Sequence, residues 1–157
     1  MQETGPEERP HPTGVDREVL ALETELGVFY RRARAAVGEL ARAVHPDLDP
    51  AAYGLLSLLA EDGERRATDI AAYFGVGKAT MSRQLRALEE AGLLERRTDP
   101  ADGRAFLVRL TEDGGRRFRT VSAERRDQWL RHLAAWDRED VVALTRLLHR
   151  FNELNAR

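Results

Sequence analysis

Residues 67–88 read ATDIAAYFGVGKATMSRQLRAL and predict two helices in succession. Thr68 suits the N-cap of a short helix over residues 69–74, which Gly75 ends. A longer helix is predicted from Lys78 to Glu90, followed by a glycine stop. Two helices joined by a short glycine-containing turn form the helix-turn-helix pattern. Because such pairs also occur in proteins that never touch DNA, the pattern alone does not assign a function.

The outward face of the second helix carries a stronger signal. Met81, Leu85 and Leu88 have helical spacing and form the predicted inward face. The outward positions hold hydroxyl, amide and cationic side chains, namely Lys78, Thr80, Ser82, Arg83, Gln84 and Arg86. Such side chains on the N-terminal half of a helix suit base edges and phosphates in the major groove of DNA. A face that only meets solvent would more often carry Glu and Ala, so these residues favour DNA recognition.

A turn-rich hairpin is predicted directly after this helix pair. Two strand-like runs, residues 93–98 and 105–110, flank a turn formed by residues 99–103. Arginines surround the turn, namely Arg96, Arg97, Arg104 and Arg109. An arginine at a hairpin tip can enter the narrow minor groove beside the groove that holds the helix. The alternative is a surface turn in which Asp102 and Arg104 pair only with each other, and the hairpin alone does not decide between the two.

Long amphipathic helices are predicted on both sides of this middle segment. Residues 16–44 place apolar side chains at alternating spacings of three and four, namely Val19, Leu22, Leu26, Phe29, Ala33, Ala36, Leu40 and Ala43. Such a helix would exceed about 40 Å, and its apolar seam favours packing against a second subunit over packing only within the chain. Thr111 and Asp137 are predicted to cap two C-terminal helices, the first reaching about Trp136. The last helix carries Val141, Leu144, Leu148 and Phe151 on one face.

A further helix precedes the helix pair. Asp49 is its predicted N-cap, Pro50 its first residue and Gly63 its stop. Its apolar face comprises Tyr53, Leu55, Leu56, Leu58 and Leu59. The chain is thus predicted to divide into four segments, namely a disordered tail (1–14), an N-terminal dimerisation helix (15–48), a DNA-binding domain (49–110) and C-terminal dimerisation helices (111–157).

Composition excludes several classes of protein and site. The chain of 157 residues contains no cysteine, which excludes disulfides, thiolate zinc sites and cysteine nucleophiles. The four histidines (His11, His45, His132 and His149) form no close pair, and only three serines are present. We therefore expect no enzyme activity, no metal and no cofactor. No apolar run approaches the roughly 18 residues of a spanning helix, so we expect a cytoplasmic protein with no membrane partner.

The net charge of −2 conceals an asymmetry along the chain. Residues 63–120 carry 12 Lys and Arg against 9 Asp and Glu, whereas the remaining residues carry 13 against 18. The middle of the chain is therefore basic and its flanks are acidic, which suits a middle segment that meets DNA phosphates.

Five motifs in sequence order carry a family resemblance. They are TDIA (68–71), TMSR (80–83), LEEAGLLER (88–96), DPADGR (99–104) and LTEDG (110–114). As an ordered set they resemble the MarR family of winged helix-turn-helix regulators. The resemblance covers about residues 49–114, and the flanking long helices look like the dimerisation helices of that family.

This resemblance implies a mostly α-helical fold with a small β-hairpin wing, and a homodimer that binds a palindromic operator in double-stranded DNA. In the family the second helix of the pair reads the major groove, which carries over to Lys78, Thr80, Ser82, Arg83 and Arg86. The wing aspartate and arginine of the family carry over to Asp102 and Arg104. The resemblance also implies a repressor that a small-molecule ligand releases. One alternative stays open, a winged-helix interaction module that dimerises without binding DNA.

The family's ligands, often aromatic acids or other phenolic compounds, bind between the DNA-binding lobe and the dimer helices. The side chains that would line such a cleft here are Phe29, Tyr30, His45, Tyr53, Trp129, His132 and Trp136, each of which also suits an ordinary core or interface position. The chain departs from the family at Gly77, where serine is frequent, because glycine is a weaker cap and offers no hydroxyl to a phosphate. The absence of cysteine also places it outside the branch that senses peroxide by thiol oxidation.

Overall fold

The computed structural model describes residues 14–154, which form six helices and three strands. In chain order the elements are α1 (Gly14–Val44), α2 (Pro50–Asp62), β1 (Arg65–Arg66), α3 (Ala67–Phe74), α4 (Lys78–Glu90), β2 (Leu94–Asp99), β3 (Asp102–Leu110), α5 (Glu112–Leu133) and α6 (Arg138–Leu154). The predicted tail, residues 1–14, lies outside the described residues except for Gly14, which is already helical. Within residues 14–154 no helix is long and apolar enough to cross a membrane.

Two helices begin at the predicted capping residues. The Asp49 side chain accepts a hydrogen bond from the Ala52 amide at 3.1 Å, and Pro50 is the first residue of α2. The Thr111 hydroxyl accepts a hydrogen bond from the Gly114 amide at 3.0 Å at the start of α5. Both predictions are confirmed, because each side chain satisfies an amide that has no partner within its helix.

The predicted cap at Thr68 is wrong. α3 begins at Ala67, and Arg66 occupies the N-cap position without a side-chain hydrogen bond to the helix. The reason is the two-residue strand β1, in which Arg65 and Arg66 pair with β3. Since β1 keeps the backbone extended up to Arg66, the helix starts at the next residue and Thr68 lies inside its first turn.

The predicted hairpin is present, but its turn is shorter than expected. β2 and β3 pair antiparallel up to Asp99 and Asp102, which leaves only Pro100 and Ala101 in the turn. β1 pairs with the other edge of β3, so the strand order is β1-β3-β2. The sequence does not predict β1, because two residues are too few to show an alternating pattern.

The predicted bounds of α4, Lys78–Glu90, are confirmed. Gly75 and Gly92 adopt φ angles of 63° and 72°, a left-handed conformation that ends each helix of the pair at little steric cost. α5 ends at Leu133, short of the predicted end near Trp136, because the chain turns there before α6.

One apolar core joins the helix pair, the sheet and parts of the flanking helices. The buried apolar side chains of the described residues all fall between Ala41 and Val121. We define the wing as β2, β3 and the turn between them. Gly114 permits a close approach of two backbone segments, because a Cβ there would lie 2.2 Å from the carbonyl oxygen of Leu93. The start of α5 is thereby fixed against Leu93, in the segment that links α4 to the wing.

Candidate nucleic-acid interface

α4 turns one face to the core and the other to solvent. Met81, Leu85 and Leu88 are at most 1% exposed, which confirms the predicted inward face. On the opposite side Lys78, Ser82, Arg83 and Arg86 are exposed, whereas Thr80 and Gln84 are half-buried. Of the residues of this helix that were predicted to meet DNA, four therefore lie on one open face, and Thr80 is partly covered.

This open face carries cationic side chains that form no ion pair. Within residues 14–154, Lys78, Arg83 and Arg86 take part in none. At the far end of the helix, Glu89 is paired with Arg96 at 2.6 Å, and Glu90 is exposed. Gly77 supplies no side-chain cap, so the first amides of α4 remain available to an anion.

Three of the four wing arginines pair with carboxylates along the sheet. The pairs are Arg96–Glu89 at 2.6 Å, Arg97–Glu64 at 2.6 Å and Arg109–Glu95 at 2.5 Å. These three arginines lie within the strands, where the predicted runs 93–98 and 105–110 also place them, and their ion pairs hold them along the hairpin. Arg104 is the exception, since it is exposed next to the turn and forms no ion pair within the described residues.

Asp102 acts on the backbone of the wing and not on the arginine side chain. Its Oδ1 accepts a hydrogen bond from the backbone amide of Arg104 at 3.1 Å. The two side chains form no ion pair with each other in the part of the chain that the structure describes. The alternative of a turn closed by mutual Asp102–Arg104 pairing is therefore not observed, and the Arg104 guanidinium is open to another partner.

An ion pair between a buried carboxylate and a partly exposed arginine, which sequence reasoning missed, lies at the base of the wing turn. The Asp99 side chain is 8% exposed, and its Oδ2 accepts from Arg66 Nε at 2.7 Å and Nη2 at 2.5 Å. Its Oδ1 accepts from the Ala101 amide at 2.8 Å. The Ala101 amide and the Arg66 guanidinium hold the pKa of Asp99 below its usual range, and the hydrogen bond to Asp99 raises the pKa of Arg66. The Asp99-Pro100 dipeptide signals a turn, but nothing local signals a partner 33 residues away.

Comparison with known proteins assigns this architecture to a family. A family model described as MarR family matches residues 47–105. The uncharacterized HTH-type transcriptional regulator YxaD of Bacillus subtilis (strain 168) is 32% identical over 132 residues, which span 84% of this chain and 91% of that relative. The chain belongs to the MarR family. It is therefore a transcriptional regulator by family, which is consistent with the expectation that it is not an enzyme.

Two further similarities place this MarR-family regulator among known proteins. The HTH-type transcriptional repressor IacR of Pseudomonas putida is 28% identical over 102 residues, which span 65% of this chain and 61% of that relative. A solved MarR transcriptional regulator from Methanosarcina mazei Go1 matches with a TM-score of 0.72 at 18% identity, over 85% of this chain and 95% of that chain. The structural likeness confirms the predicted fold class, a mostly α-helical protein with a small winged-helix sheet.

The MarR-family chain also has an open groove of about 780 Å³ between α1 and α5. Three of the side chains that were predicted to contact a ligand line it, namely Phe29, Trp129 and His132. Charged side chains of both signs also line it, namely Arg32 and Arg125 together with Glu25, Glu39 and Glu124. Among residues 14–154 no cluster of three or more His, Cys, Asp or Glu could hold a metal ion.

The other candidate ligand contacts of this MarR-family chain do not line the groove, namely Tyr30, His45, Tyr53 and Trp136, although the Tyr53 ring lies 5.8 Å from the guanidinium of Arg125, which does. Tyr53 is 3% exposed and packs against Phe118 with ring centroids 5.3 Å apart. Its hydroxyl is buried without a hydrogen-bond partner in the described part of the chain. His45 Nδ1 accepts a hydrogen bond from the Asp47 amide at 3.4 Å, just after α1 ends.

Proposed function

We propose that this MarR-family regulator binds a palindromic operator in double-stranded DNA as a homodimer, with α4 in the major groove. The observation that carries the proposal is the open face of α4, where Lys78, Arg83 and Arg86 have no ion-pair partner among the described residues. Ser82 and Thr80 lie between these cations. Arginine and lysine bind phosphates and the edge of guanine, and hydroxyl groups accept or donate to bases and phosphates.

The wing supplies a second DNA contact in this proposal. Arg104 is the wing arginine without a carboxylate partner in residues 14–154, and it is the third residue of β3, close to the hairpin turn. A guanidinium in that position suits the narrow minor groove, where the negative potential is greatest. Asp102 contributes indirectly, because it fixes the backbone amide of Arg104.

Two recognition helices must lie about 34 Å apart to enter successive major grooves, so the proposal requires a dimer. α6 has no buried side chain, and its apolar residues Leu144 and Leu148 are each 41% exposed. Near the other end, Val19 and Leu22 of α1 are 47% and 51% exposed. We assign dimer contacts to residues 15–48 and 111–157 and DNA contacts to residues 49–110, because these exposed apolar faces favour burial against a second copy.

We further propose that the α1–α5 groove binds a small aromatic or other hydrophobic effector. Phe29 and Trp129 offer apolar contact area, and the polar and charged side chains of both signs in the lining offer hydrogen-bond partners that would orient a ligand. A ligand that changes the angle between α1 and α5 would change the spacing of the two α4 helices and release the operator. The similarity to the repressor IacR supports repression as the mode of regulation.

The test is selection of duplexes from a randomised pool by the full-length protein, followed by affinity measurements over a range of salt. We expect enrichment of a palindrome whose half-site centres are about 10 base pairs apart, and an affinity that falls linearly with salt on logarithmic axes. A dimer that enriches no sequence and shows no salt-dependent binding would refute the proposal and favour the interaction module.

A further inference from the structure

Two ion pairs cross one face of the three-stranded sheet, one with its arginine on β1 and the other with its arginine on β2. Arg66 and Arg97 are both register partners of Leu107 on the central strand, so the three side chains share a face. Arg66 pairs with Asp99 at the turn, whereas Arg97 pairs with Glu64, which precedes β1. Each pair joins residues 33 apart in sequence. The second pair is therefore a matched reference for the first.

The two carboxylates differ in burial and in what else they hold. The Asp99 side chain is 8% exposed, whereas that of Glu64 is 34% exposed. Asp99 also accepts the hydrogen bond from the Ala101 amide inside the wing turn. It is the one buried charged residue among those described. Removal of the cation would leave Asp99 buried and unpaired, while Glu64 would be solvated by water.

Arg66 connects the wing turn to the helix pair. It is both the last residue of β1 and the N-cap residue of α3, which packs against α4. The bond from Arg66 to Asp99 therefore links the turn to the start of the helix pair across the sheet, independently of the hairpin backbone. Arg104, the open cation of the wing, lies two residues after Asp102, with which the hairpin pairing resumes.

We propose that Arg66 and Asp99 are positioning residues for DNA binding, because their ion pair holds the wing turn and Arg104 in one orientation relative to α4. This inference rests on the proposed DNA-binding function. A duplex that meets both a helix and a wing requires the two to keep one relative orientation. A turn that is already ordered before binding loses less conformational entropy when the complex forms. Neither Arg66 nor Asp99 has to touch DNA for this effect.

The test is a double-mutant cycle between Asp99→Asn and Arg104→Ala in the full-length protein. The probe is the duplex that the unaltered protein enriches from a randomised pool. Asparagine keeps an oxygen for the Ala101 amide but removes the charge that holds Arg66. We expect Asp99→Asn to raise the Kd about three- to tenfold per wing, which is the cost of ordering one long side chain or its loop. In the Arg104→Ala background the same substitution should change the Kd by less than about twofold.

Matched variants separate this effect from general damage to the sheet. Glu64→Gln removes the charge of the companion ion pair on the same face, and its Kd should stay within about twofold of the unaltered value. Arg66→Lys keeps a cation near Asp99 and should restore part of the affinity that Arg66→Gln loses. Should Asp99→Asn fail to fold, the two Arg66 variants run the same cycle, because they leave the bond from Asp99 to the Ala101 amide in place.

If Asp99→Asn lowered the DNA affinity equally in the unaltered and the Arg104→Ala backgrounds, the inference would be overturned, because Asp99 would then act on the whole domain. An unchanged Kd in Asp99→Asn, or a loss of the same size in Glu64→Gln, would overturn it as well. If the unaltered protein binds no duplex, the proposed function itself fails, and that result is seen before any variant is made.

Discussion

The middle of the chain and its two ends bury apolar surface in different ways. In the described residues, the buried apolar side chains lie between Ala41 and Val121. α6 buries no side chain, and none of the described side chains in the first half of α1 is buried, although both helices carry apolar residues at helical spacing. The same sequence pattern therefore leads to two outcomes. The middle completes its core within one chain, whereas the ends offer surface that a second copy would have to cover.

The largest effect is expected from a charge placed in the apolar surface of the ends. Leu148→Asp changes a side chain that is 41% exposed, so it should leave the middle folded while it separates the subunits. The loss of one half-site contact should weaken duplex binding about 100-fold or more, because the second contact is no longer intramolecular. Sedimentation at micromolar concentration should show a dimer for the unaltered chain and a monomer for the variant.

Arg146→Asp is the control. This exposed residue is two positions from both Leu144 and Leu148, so it lies on the opposite side of the same helix. It should remain dimeric and bind DNA. A stable, folded monomer of the unaltered chain would contradict the distinction between middle and ends.

The next largest effect is expected within the middle. Gly114→Ala would place a methyl group 2.2 Å from the Leu93 carbonyl oxygen, which belongs to the backbone and cannot easily move. We expect a loss of about 1 to 3 kcal/mol in the free energy of unfolding, measured by urea denaturation. At Gly115 the neighbour is the flexible end of Arg119 at 3.2 Å, so Gly115→Ala should be neutral or stabilising by up to about 1 kcal/mol. Equal effects at the two glycines would show that the close approach of α5 does not constrain the middle.

The elements that local signals define were predictable from the sequence. α4 was predicted with its observed bounds, because the glycines at its two ends act within a few residues. Likewise Asp49 and Thr111 cap helices that start directly after them. Non-local pairing was not predictable. β1 exists only because β3 lies beside it, and this pairing moved the start of α3 from the predicted Thr68 cap to Ala67.

In the candidate site, too, the features set by local spacing were predictable and those set by non-local pairing were not. The open face of α4 follows from helical spacing, so Arg83 and its neighbours could be placed on it from the sequence. Which of the wing arginines form ion pairs could not be predicted, because the three carboxylates that pair with them are placed by the sheet register and by the helix and loop beside the sheet. The same limit applies to the Asp99–Arg66 pair, whose members lie 33 residues apart.

A smaller effect, on DNA affinity, is expected from a substitution that alters the proposed DNA-facing surface of the middle and leaves its core intact. Arg83→Ala should leave folding and dimerisation intact, because the side chain is exposed and has no ion-pair partner in residues 14–154. If Arg83 reads a base, its loss should cost about 1 to 3 kcal/mol per half-site on the selected duplex and little on a random duplex. Equal weakening on both duplexes would instead identify Arg83 as a phosphate contact, and a change in oligomeric state would break the separation between middle and ends.

The smallest effect is expected in the pH dependence of stability, and it should come from the middle. Asp99 is the one buried charge among the described residues, and its folded-state pKa is lowered by the Ala101 amide and by Arg66. An unfolded aspartate titrates near about 3.9. Between the two pKa values the unfolded chain binds the proton more readily than the folded chain, so stability rises with pH in that window.

The contribution of Asp99 to stability is therefore fully present above the unfolded pKa and is lost as the pH falls through the lower, folded one. Arg66 adds nothing to this change, because its raised pKa keeps it charged at every pH concerned. Urea denaturation at about pH 7 and about pH 3 should show that the unaltered protein loses more stability on acidification than Asp99→Asn does. Glu64→Gln keeps the Asp99–Arg66 pair, so it should lose more stability on acidification than Asp99→Asn does. If Asp99→Asn and the unaltered protein lost equal stability, the buried pair would make no pH-dependent contribution, and the middle would differ from the ends only in its apolar core.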